Sequence, residues 1–225
     1  MEKPPNATSR FGGLPDRNES AHLAPPQASP RGPGGAPIHQ TDRMLSFRID
    51  ERRILRLLEE ADADELYAVV DANREFLARW MPWAASTTLE GTLEFIRASR
   101  RQLADNQGFQ VAIVDDGRIV GVLGFHRVDW DNRSTSIGYW IAEPSQRRGT
   151  VTQAVRALIE HAFRTWTLNR VEIRAGVDNV RSRAIPGRLG FKEEGVLRQA
   201  ERIGDRYVDH VVYGMLAADR ETKSS

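Results

Sequence analysis

The chain of 225 residues contains no cysteine. This absence excludes disulfide bonds, catalytic thiolates and cysteine-ligated zinc, and we expect a cytoplasmic protein. The five histidines (His22, His39, His126, His161 and His210) show no paired spacing of the kind that binds a metal ion. No metal site is therefore predicted.

Net charge and long apolar runs are also lacking. Lys and Arg number 32 against 31 Asp and Glu, a formal net charge of +1, which gives no broad attraction to nucleic acid. Four arginines, at 147, 148, 181 and 183, could still form a local basic site, so a nucleic-acid-associated protein is kept as one alternative hypothesis. No apolar stretch approaches the roughly 18 residues of a membrane-spanning helix, and the N-terminus lacks the apolar core of a signal peptide.

The composition changes near residue 44. Residues 1–43 hold eight of the eleven prolines and few large apolar side chains. Such a segment cannot bury enough surface to offset the entropy lost on ordering it. We therefore predict a disordered tail over 1–43, a folded domain over 44–218 and a polar C-terminal tail over 219–225. A docking arm, or translation that begins at Met44, remains an alternative for the first segment.

Hydrophobic spacing predicts the element order β-α-α-β-β-β-α-β-α-β-β and a mixed sheet. Apolar residues recur at offsets of three and four from Val151 to Trp166, which predicts one long amphipathic helix. The other predicted helices run from 62 or 64 to about 80, from 88 to 106 and from 179 to 189. The predicted strands are 54–58, 109–114, 118–127, 135–142, 170–177, 191–203 and 206–216.

The junction between the strand at 135–142 and the helix that follows carries the sharpest chemical signal. The first turn of a helix has free backbone N–H groups and the positive end of the helix dipole, which together suit a phosphate group. Gly149 lets the backbone approach such an anion, and Arg147 and Arg148 add positive charge. By spacing alone, a helix start with solvated arginines is an equal alternative.

The segment 146–151, Gln-Arg-Arg-Gly-Thr-Val, resembles the acetyl-CoA motif of GNAT N-acetyltransferases, Gln/Arg-x-x-Gly-x-Gly/Ala. Val151 departs from the small residue usual in that motif. Further segments are similar to RimJ/RimL-type members of the family: 54–58, 80–83, 138–141, 169–173, 179–186, 189–191 and 194–198. The resemblance covers residues 45 to 216. It implies an α/β protein of the GNAT fold, with a central mixed sheet, two splayed parallel strands and acetyl-CoA as cosubstrate.

The resemblance also implies where the cosubstrate lies. In GNAT proteins the pantetheine arm occupies the gap between the splayed strands, here 137–142 and 170–177, and a backbone N–H there polarises the thioester carbonyl. The implied cofactor-binding residues are Trp140, Ile141, Gln146, Arg147, Arg148, Gly149, Thr150, Val151 and Asn179. Asn179 fits equally well as the N-cap of the helix that follows it.

The catalytic groups are less clearly marked. Many GNAT enzymes place a tyrosine seven residues after the matched asparagine, but Pro186 stands there. Ser182 is the candidate for a hydrogen bond to the sulfur, and Glu172 is the candidate to deprotonate the amine. The alternatives are a helix-start serine and a strand carboxylate paired with an arginine. Glu143 and His126 are weaker candidates for the base.

Two tryptophans, Trp80 and Trp83, flank a proline between the first two predicted helices. That loop borders the acceptor site in the GNAT fold, so the two indoles are predicted to wall the acceptor pocket, with core packing as the alternative. Tyr139 and Trp140 are neighbours on a strand, so only one is expected to face the cofactor. His210 is assigned no role beyond a substrate contact.

The predicted activity is therefore acetyl transfer from acetyl-CoA to a primary amine, by direct attack in a ternary complex. RimJ/RimL-type resemblance implies the α-amine of a protein N-terminus, of the ribosomal-protein type, and makes a homodimer plausible. Acetylation of a small toxic or antibiotic amine is an alternative within the same family. If the protein is not an enzyme, the alternative is a non-catalytic regulatory module that binds acyl-CoA.

Overall fold

The computed structural model describes residues 45–221. This part of the chain contains one sheet of eight strands, which are β1 (Ser46–Arg48), β2 (Arg53–Leu57), β3 (Gln110–Asp115), β4 (Arg118–Asp129), β5 (Ser134–Ile141), β6 (Arg170–Gly176), β7 (Lys192–Ile203) and β8 (Arg206–Leu216). Their order across the sheet is β1-β2-β3-β4-β5-β6-β8-β7. The predicted tail 1–43 lies outside the described residues, as do residues 222–225.

Six α-helices accompany the sheet within residues 45–221: α1 (Ala63–Ala72), α2 (Arg74–Ala78), α3 (Leu89–Ala104), α4 (Thr150–Glu160), α5 (Val180–Leu189) and α6 (Ala218–Glu221). The predicted element order is confirmed, with β1 as an additional strand at the start. Helix α6 begins at Ala218, the last residue of the predicted domain, and continues into the segment predicted as a polar tail. None of these described helices is both long enough and apolar enough to cross a membrane.

One predicted helix is interrupted at Asn73. Its side-chain amide donates to the carbonyl of Val69 at 2.8 Å, and its side-chain oxygen accepts the backbone N–H of Glu143 at 2.9 Å. The segment predicted as a single helix up to residue 80 is therefore two helices, α1 and α2. The Asn73 side chain competes with the backbone hydrogen bonds of the helix, and it links this bend to the loop after β5 by a hydrogen bond.

The long helix predicted from Val151 to Trp166 changes type before it ends. It is α-helical through Glu160 and then makes one π-helical turn over His161–Thr165. The wider turn still buries the side chains of His161 and Phe163. The predicted apolar stripe is thus present, but its last turn follows a different hydrogen-bond pattern.

The sheet is covered on both faces, which is why β3 is buried along nearly its whole length. Val111 and Ile113 belong to the core on the face of α4, and Ala112 and Val114 belong to the core on the face of α1 and α3. This alternation follows from the two-residue period of a strand. The two cores hold the sheet rigid around the place where it opens.

The sheet opens between β5 and β6, its one parallel pair. Ladder pairing joins 134–136 of β5 to 170–172 of β6. Beyond these residues β5 continues to Ile141 and β6 to Gly176 without further pairing to each other. The expected splay of two parallel strands is confirmed, and it leaves an opening in the middle of the sheet.

Candidate active site

The splay opens into a large cleft of about 520 Å³. Four parts of the chain line it: the loop after α2, the end of β5, the start of α4 and the start of α5. All nine residues predicted to bind the cofactor line this cleft, namely Trp140, Ile141, Gln146, Arg147, Arg148, Gly149, Thr150, Val151 and Asn179. The tertiary structure therefore brings together the residues that the sequence motif grouped.

The loop before α4 has a backbone shape suited to anion binding. Arg147 and Gly149 both have left-handed conformations, with φ of 63° and 72°. Gly149 is the N-cap of α4 and offers no side-chain cap to the first turn. The first amides of α4 are thus not capped by a side chain at position 149, and they open on the cleft. A Cβ at Gly149 would meet no atom within 4 Å, so the backbone conformation, rather than crowding, favours glycine there.

The lining of the cleft is positively charged. Five arginines line the cleft against two acidic residues, Glu143 and Asp178; the arginines are Arg79, Arg147, Arg148, Arg181 and Arg188. Arg181 donates to the side-chain oxygen of Gln146 at 2.8 Å and so joins the walls formed by α5 and by the loop before α4. A multiply charged anion such as a diphosphate matches this surface.

The middle of the large cleft holds a pair of hydroxyl groups. Asn179 accepts the backbone N–H of Ser182 at 3.1 Å, which confirms its N-cap role, and its side chain also lines the cleft. The Ser182 hydroxyl donates to the Tyr139 oxygen at 3.3 Å, and the Tyr139 hydroxyl donates to the Ser182 carbonyl at 3.2 Å. Burial raises the pKa of the Tyr139 phenol above its ordinary value of 10, so the phenol stays protonated at neutral pH.

A small pocket of about 40 Å³ continues from the large cleft between β5 and β6. Five residues line both spaces: Trp80, Met81, Tyr139, Asn179 and Ser182. The far wall of the small pocket includes Ile203, Val208 and His210. The two spaces are therefore adjacent subsites that meet beside the Tyr139–Ser182 pair.

Behind the small pocket lies a buried carboxylate–imidazole pair. His210 Nε2 is 3.3 Å from Glu201 Oε2, and the two side chains are only 3% and 5% exposed. Burial raises the pKa of Glu201, while the hydrogen bond with His210 opposes that rise. A carboxyl group with a raised pKa is better matched to accept a proton near neutral pH.

Two predicted site residues lie elsewhere. Glu172 sits on the hydrogen-bonded part of β6, and its carboxylate pairs with Arg170 at 2.8 Å and with Arg174 at 2.6 Å. It is not among the residues that line either space. Trp83 packs on Trp140 in the core instead of lining the cleft, with ring centroids 6.0 Å apart.

Other predicted residues lie at the cleft or beneath it. Trp80 lines both spaces, and Ser182 lies between them. Tyr139 lines both spaces, and Trp140, although buried, also lines the large cleft. Both rings therefore reach the proposed cofactor cleft, contrary to the expectation that only one would, and only Tyr139 also lines the small pocket. His126 is buried beneath Gly138, and burial lowers its pKa to about 4, which makes it a poor proton acceptor at neutral pH.

Sequence reasoning missed Glu201 and gave His210 no chemical role. A signal was present: Glu201 lies two residues before Ile203 on one strand, so the carboxylate shares a face with a buried apolar side chain. Its partner was not readable from the sequence, because irregular pairing between β7 and β8 shifts the register between Leu197 and Glu201.

Comparison with known proteins agrees with this architecture. A profile of the acetyltransferase (GNAT) domain matches residues 52–192. YdaF of Bacillus subtilis (strain 168), named as a candidate ribosomal N-acetyltransferase, is 37% identical over 180 residues, which cover 79% of this chain and 98% of YdaF.

Two solved structures extend the comparison. RimL, a ribosomal L7/L12 α-N-protein acetyltransferase in complex with coenzyme A, has a TM-score of 0.73 at 26% identity, with 76% of this chain and 98% of RimL covered. The microcin C7 self-immunity acetyltransferase MccE, in complex with acetyl-CoA and AMP, has a TM-score of 0.72 at 28% identity, with 75% and 94% covered. The chain described here therefore belongs to the GNAT family and is an N-acetyltransferase that takes its acetyl group from acetyl-CoA.

Proposed function

We propose that this enzyme acetylates the α-amine of a protein N-terminus, of the ribosomal-protein type. The observation that carries the proposal is the Glu201–His210 pair, buried behind a small pocket that adjoins the cofactor cleft. A pocket of about 40 Å³ suits a small first residue, such as serine or alanine. The names of YdaF and RimL support the same acceptor class. This proposal includes a cytoplasmic location.

Acetyl-CoA would bind along the large cleft. Its diphosphate would meet the backbone amides of 147–151, with Arg147 and Arg148 beside it, because unpaired amides and positive charge favour an anion at a helix start. Gln146, Thr150 and Val151 complete that cradle. The pantetheine arm would follow Trp140, Ile141 and Asn179 into the gap between β5 and β6, which directs the thioester toward the small pocket.

The acceptor amine would enter the small pocket past Trp80. An α-amine arrives largely protonated near neutral pH, and it must lose a proton to attack. The Glu201–His210 pair would take that proton, with His210 facing the pocket and Glu201 orienting it from behind. The nitrogen then attacks the acetyl carbon, the carbon–sulfur bond breaks, and acetylated amine and coenzyme A are released. Since the two spaces share five lining residues, donor and acceptor can be bound together for direct transfer.

A small antibiotic-like amine is the second candidate acceptor, and the similarity to MccE is the observation that favours it. A non-catalytic acyl-CoA-binding module has less support, because a buried carboxylate–imidazole pair beside the small pocket is an arrangement typical of a proton-transfer site.

We also propose a homodimer. The edge strand β7 is exposed over Lys192–Gln199, including the apolar Val196 and Leu197, and an uncovered strand edge is ready to pair with a second copy.

The proposed acceptor is tested with the 225-residue chain and labelled acetyl-CoA. Peptides that begin with serine or alanine are compared with the same peptides blocked at the α-amine, with a set of small amines, and with a bacterial extract in which labelled proteins are identified. Label on free α-amines and absence of label on the blocked peptides are expected. Transfer only to small amines, or acetyl-CoA binding without transfer to any acceptor, would refute the proposal.

A further inference from the structure

The departing sulfur of coenzyme A needs a proton donor. A tyrosine seven residues after Asn179 would be the family pattern, but that position is Pro186, a buried residue inside α5 with no hydroxyl group. Another group of this chain must therefore meet the sulfur if the leaving thiolate is protonated within the site.

Tyr139 is placed to do so. It lies on β5 three residues beyond Ser136, the last β5 residue paired with β6, and so in the splayed part of the sheet. It lines both the large cleft and the small pocket. During transfer the sulfur must lie where these two spaces meet, because the acyl carbon is attacked from the small pocket while the pantetheine arm continues along the cleft.

Ser182 alone is a weaker donor than Tyr139. A phenol has a pKa near 10 and is far more acidic than an aliphatic alcohol. The Ser182 hydroxyl is already directed at the Tyr139 oxygen at 3.3 Å. That hydrogen bond stabilises negative charge on the phenolic oxygen as its proton leaves. The carbonyl of Ser182 accepts the phenolic proton in the resting site and so holds the ring hydroxyl in place.

Building on the proposed function, we propose that Tyr139 is the catalytic acid that protonates the departing thiolate, and that Ser182 is its positioning residue. The carbon–sulfur bond breaks, its electron pair stays on sulfur, and the phenolic proton of Tyr139 moves to the sulfur to give the free thiol. The amine loses its first proton to the Glu201–His210 pair before attack. Its second proton leaves the nitrogen as the amide forms and passes through water to the phenolate. Each turnover thus consumes acetyl-CoA and a protonated amine, and yields amide, coenzyme A and one proton released to solvent.

The charged and titratable groups around the phenol define its environment. Arg174 and His210 line the same small pocket. The nearby Tyr213 and the burial of the ring both raise the pKa of Tyr139, burial more strongly. The acid is therefore in its proton-bearing form over the whole physiological range, and the wild-type reaction loses no rate from its ionisation there.

The test compares Tyr139→Phe with Tyr67→Phe, a control in which a half-buried phenol on α1, outside both spaces, loses its hydroxyl. Tyr139→Phe is expected to lower kcat about 100-fold, while KM and Kd for acetyl-CoA stay within about twofold of wild type. Tyr67→Phe should behave as wild type. A kcat within about twofold of wild type in Tyr139→Phe would overturn the proposal.

A second variant keeps the test decisive if Tyr139→Phe folds poorly. Replacement of Tyr139 by 3-fluorotyrosine preserves the ring and the hydroxyl but makes the phenol a stronger acid, so kcat should rise above that of wild type, because the efficiency of a general acid follows its acidity. A kcat equal to that of wild type would contradict the proposal. Ser182→Ala should lower kcat less than Tyr139→Phe does. The double variant should lower kcat no further than Tyr139→Phe alone. A larger loss of kcat in Ser182→Ala than in Tyr139→Phe would make Ser182 the donor. Absence of transfer by the wild-type enzyme to every acceptor would instead refute the proposed function itself.

Discussion

Arg53 and Thr150 lie 97 residues apart in the sequence, yet Arg53 Nη1 donates to Thr150 Oγ1 at 2.9 Å. Arg53 is on β2, and Thr150 is the first residue of α4. Asp50 accepts from Arg53 Nε at 2.8 Å, and this hydrogen bond lowers the pKa of Asp50 to about 2. The start of α4, where the diphosphate is proposed to bind, is thus held by Arg53, whose side chain is only 15% exposed.

Replacement of Arg53 by alanine should weaken acetyl-CoA binding about 10-fold, because a charge-assisted hydrogen bond of about 1.5–3 kcal/mol that shapes the loop is lost. Isothermal titration with acetyl-CoA measures this effect. Arg52→Ala is the matched control, since Arg52 is exposed and pairs with Asp116 on the β3–β4 turn. Equal affinities in the two variants would show that this hydrogen bond has no influence on the cofactor.

Gly149 should tolerate no side chain without loss of affinity. Its φ of 72° places it in the left-handed region, where an L-residue costs about 1–2 kcal/mol. Gly149→Ala is therefore expected to lower both the melting temperature and the affinity for acetyl-CoA. Gly187→Ala is the control, because Gly187 lies inside α5 with open space around its Cβ, and alanine should there raise helix stability by about 0.4–1 kcal/mol. Wild-type affinity in Gly149→Ala would remove the loop from the proposed diphosphate site.

Glu201→Gln should reduce kcat about 100-fold with little change in the Kd for acetyl-CoA, since the carboxylate that orients His210 for proton transfer is lost and the cofactor cleft is untouched. In the wild type, kcat/KM should fall toward acid pH as Glu201 takes up a proton, since burial raises the pKa of that carboxyl group.

The matched variant is Glu172→Gln, which removes the other candidate base. Its carboxylate pairs with Arg170 and Arg174, so we expect a lower melting temperature and a kcat near that of wild type. Steady-state kinetics of both variants decide between the two carboxylates. A large loss of kcat in Glu172→Gln with none in Glu201→Gln would restore Glu172 as the base.

Stability should fall on the acid side because of His161. This side chain is buried among the rings of Phe47, Phe109 and Trp166, and burial lowers its pKa from 6.5 to about 4. The folded protein keeps His161 neutral while the unfolded chain binds a proton, so its contribution is complete above pH 6.5 and is lost between pH 6.5 and about 4.

The size of that loss is about 3 kcal/mol at most, from 1.36 kcal/mol per pKa unit. His161→Phe should keep most of the stability at pH 7, because the ring nitrogen Nε2 is buried without a hydrogen-bond partner. Urea unfolding of both proteins at pH 7 and pH 5 measures the difference. The same loss between the two pH values in His161→Phe and wild type would assign the acid sensitivity to other groups.

Local patterns were sufficient for most of the fold. The alternation along β6 and the apolar stripe of α4 can both be recognised in consecutive residues of the sequence. The same is true of Gly190, which ends α5 with a φ of 88°. Helix and strand periods depend on neighbours within a few positions, so a sequence contains them directly. The loop proposed to bind the diphosphate could be recognised for the same reason, because its residues are contiguous.

The division of α1 from α2 and the π turn at His161–Thr165 were not predicted. Asn73 breaks its helix by bonding to Glu143, which is 70 residues away. The π turn lies in a crowded cluster of aromatic rings contributed by distant strands. Both deviations depend on partners that no local window contains, since tertiary contacts override helix propensity.

The sequence by itself determined the family, the loop proposed to bind acetyl-CoA and the asparagine cap of α5, because each depends on adjacent residues with a local physical meaning. Only the tertiary structure decided which carboxylate and which hydroxyl serve the proposed chemistry. It placed Glu172 between two arginines, Glu201 beside His210, and Tyr139 beside Ser182 at the meeting of two cavities. Strand register, splay and burial set these distances and pKa values, and they arise from contacts between segments that are far apart in the chain.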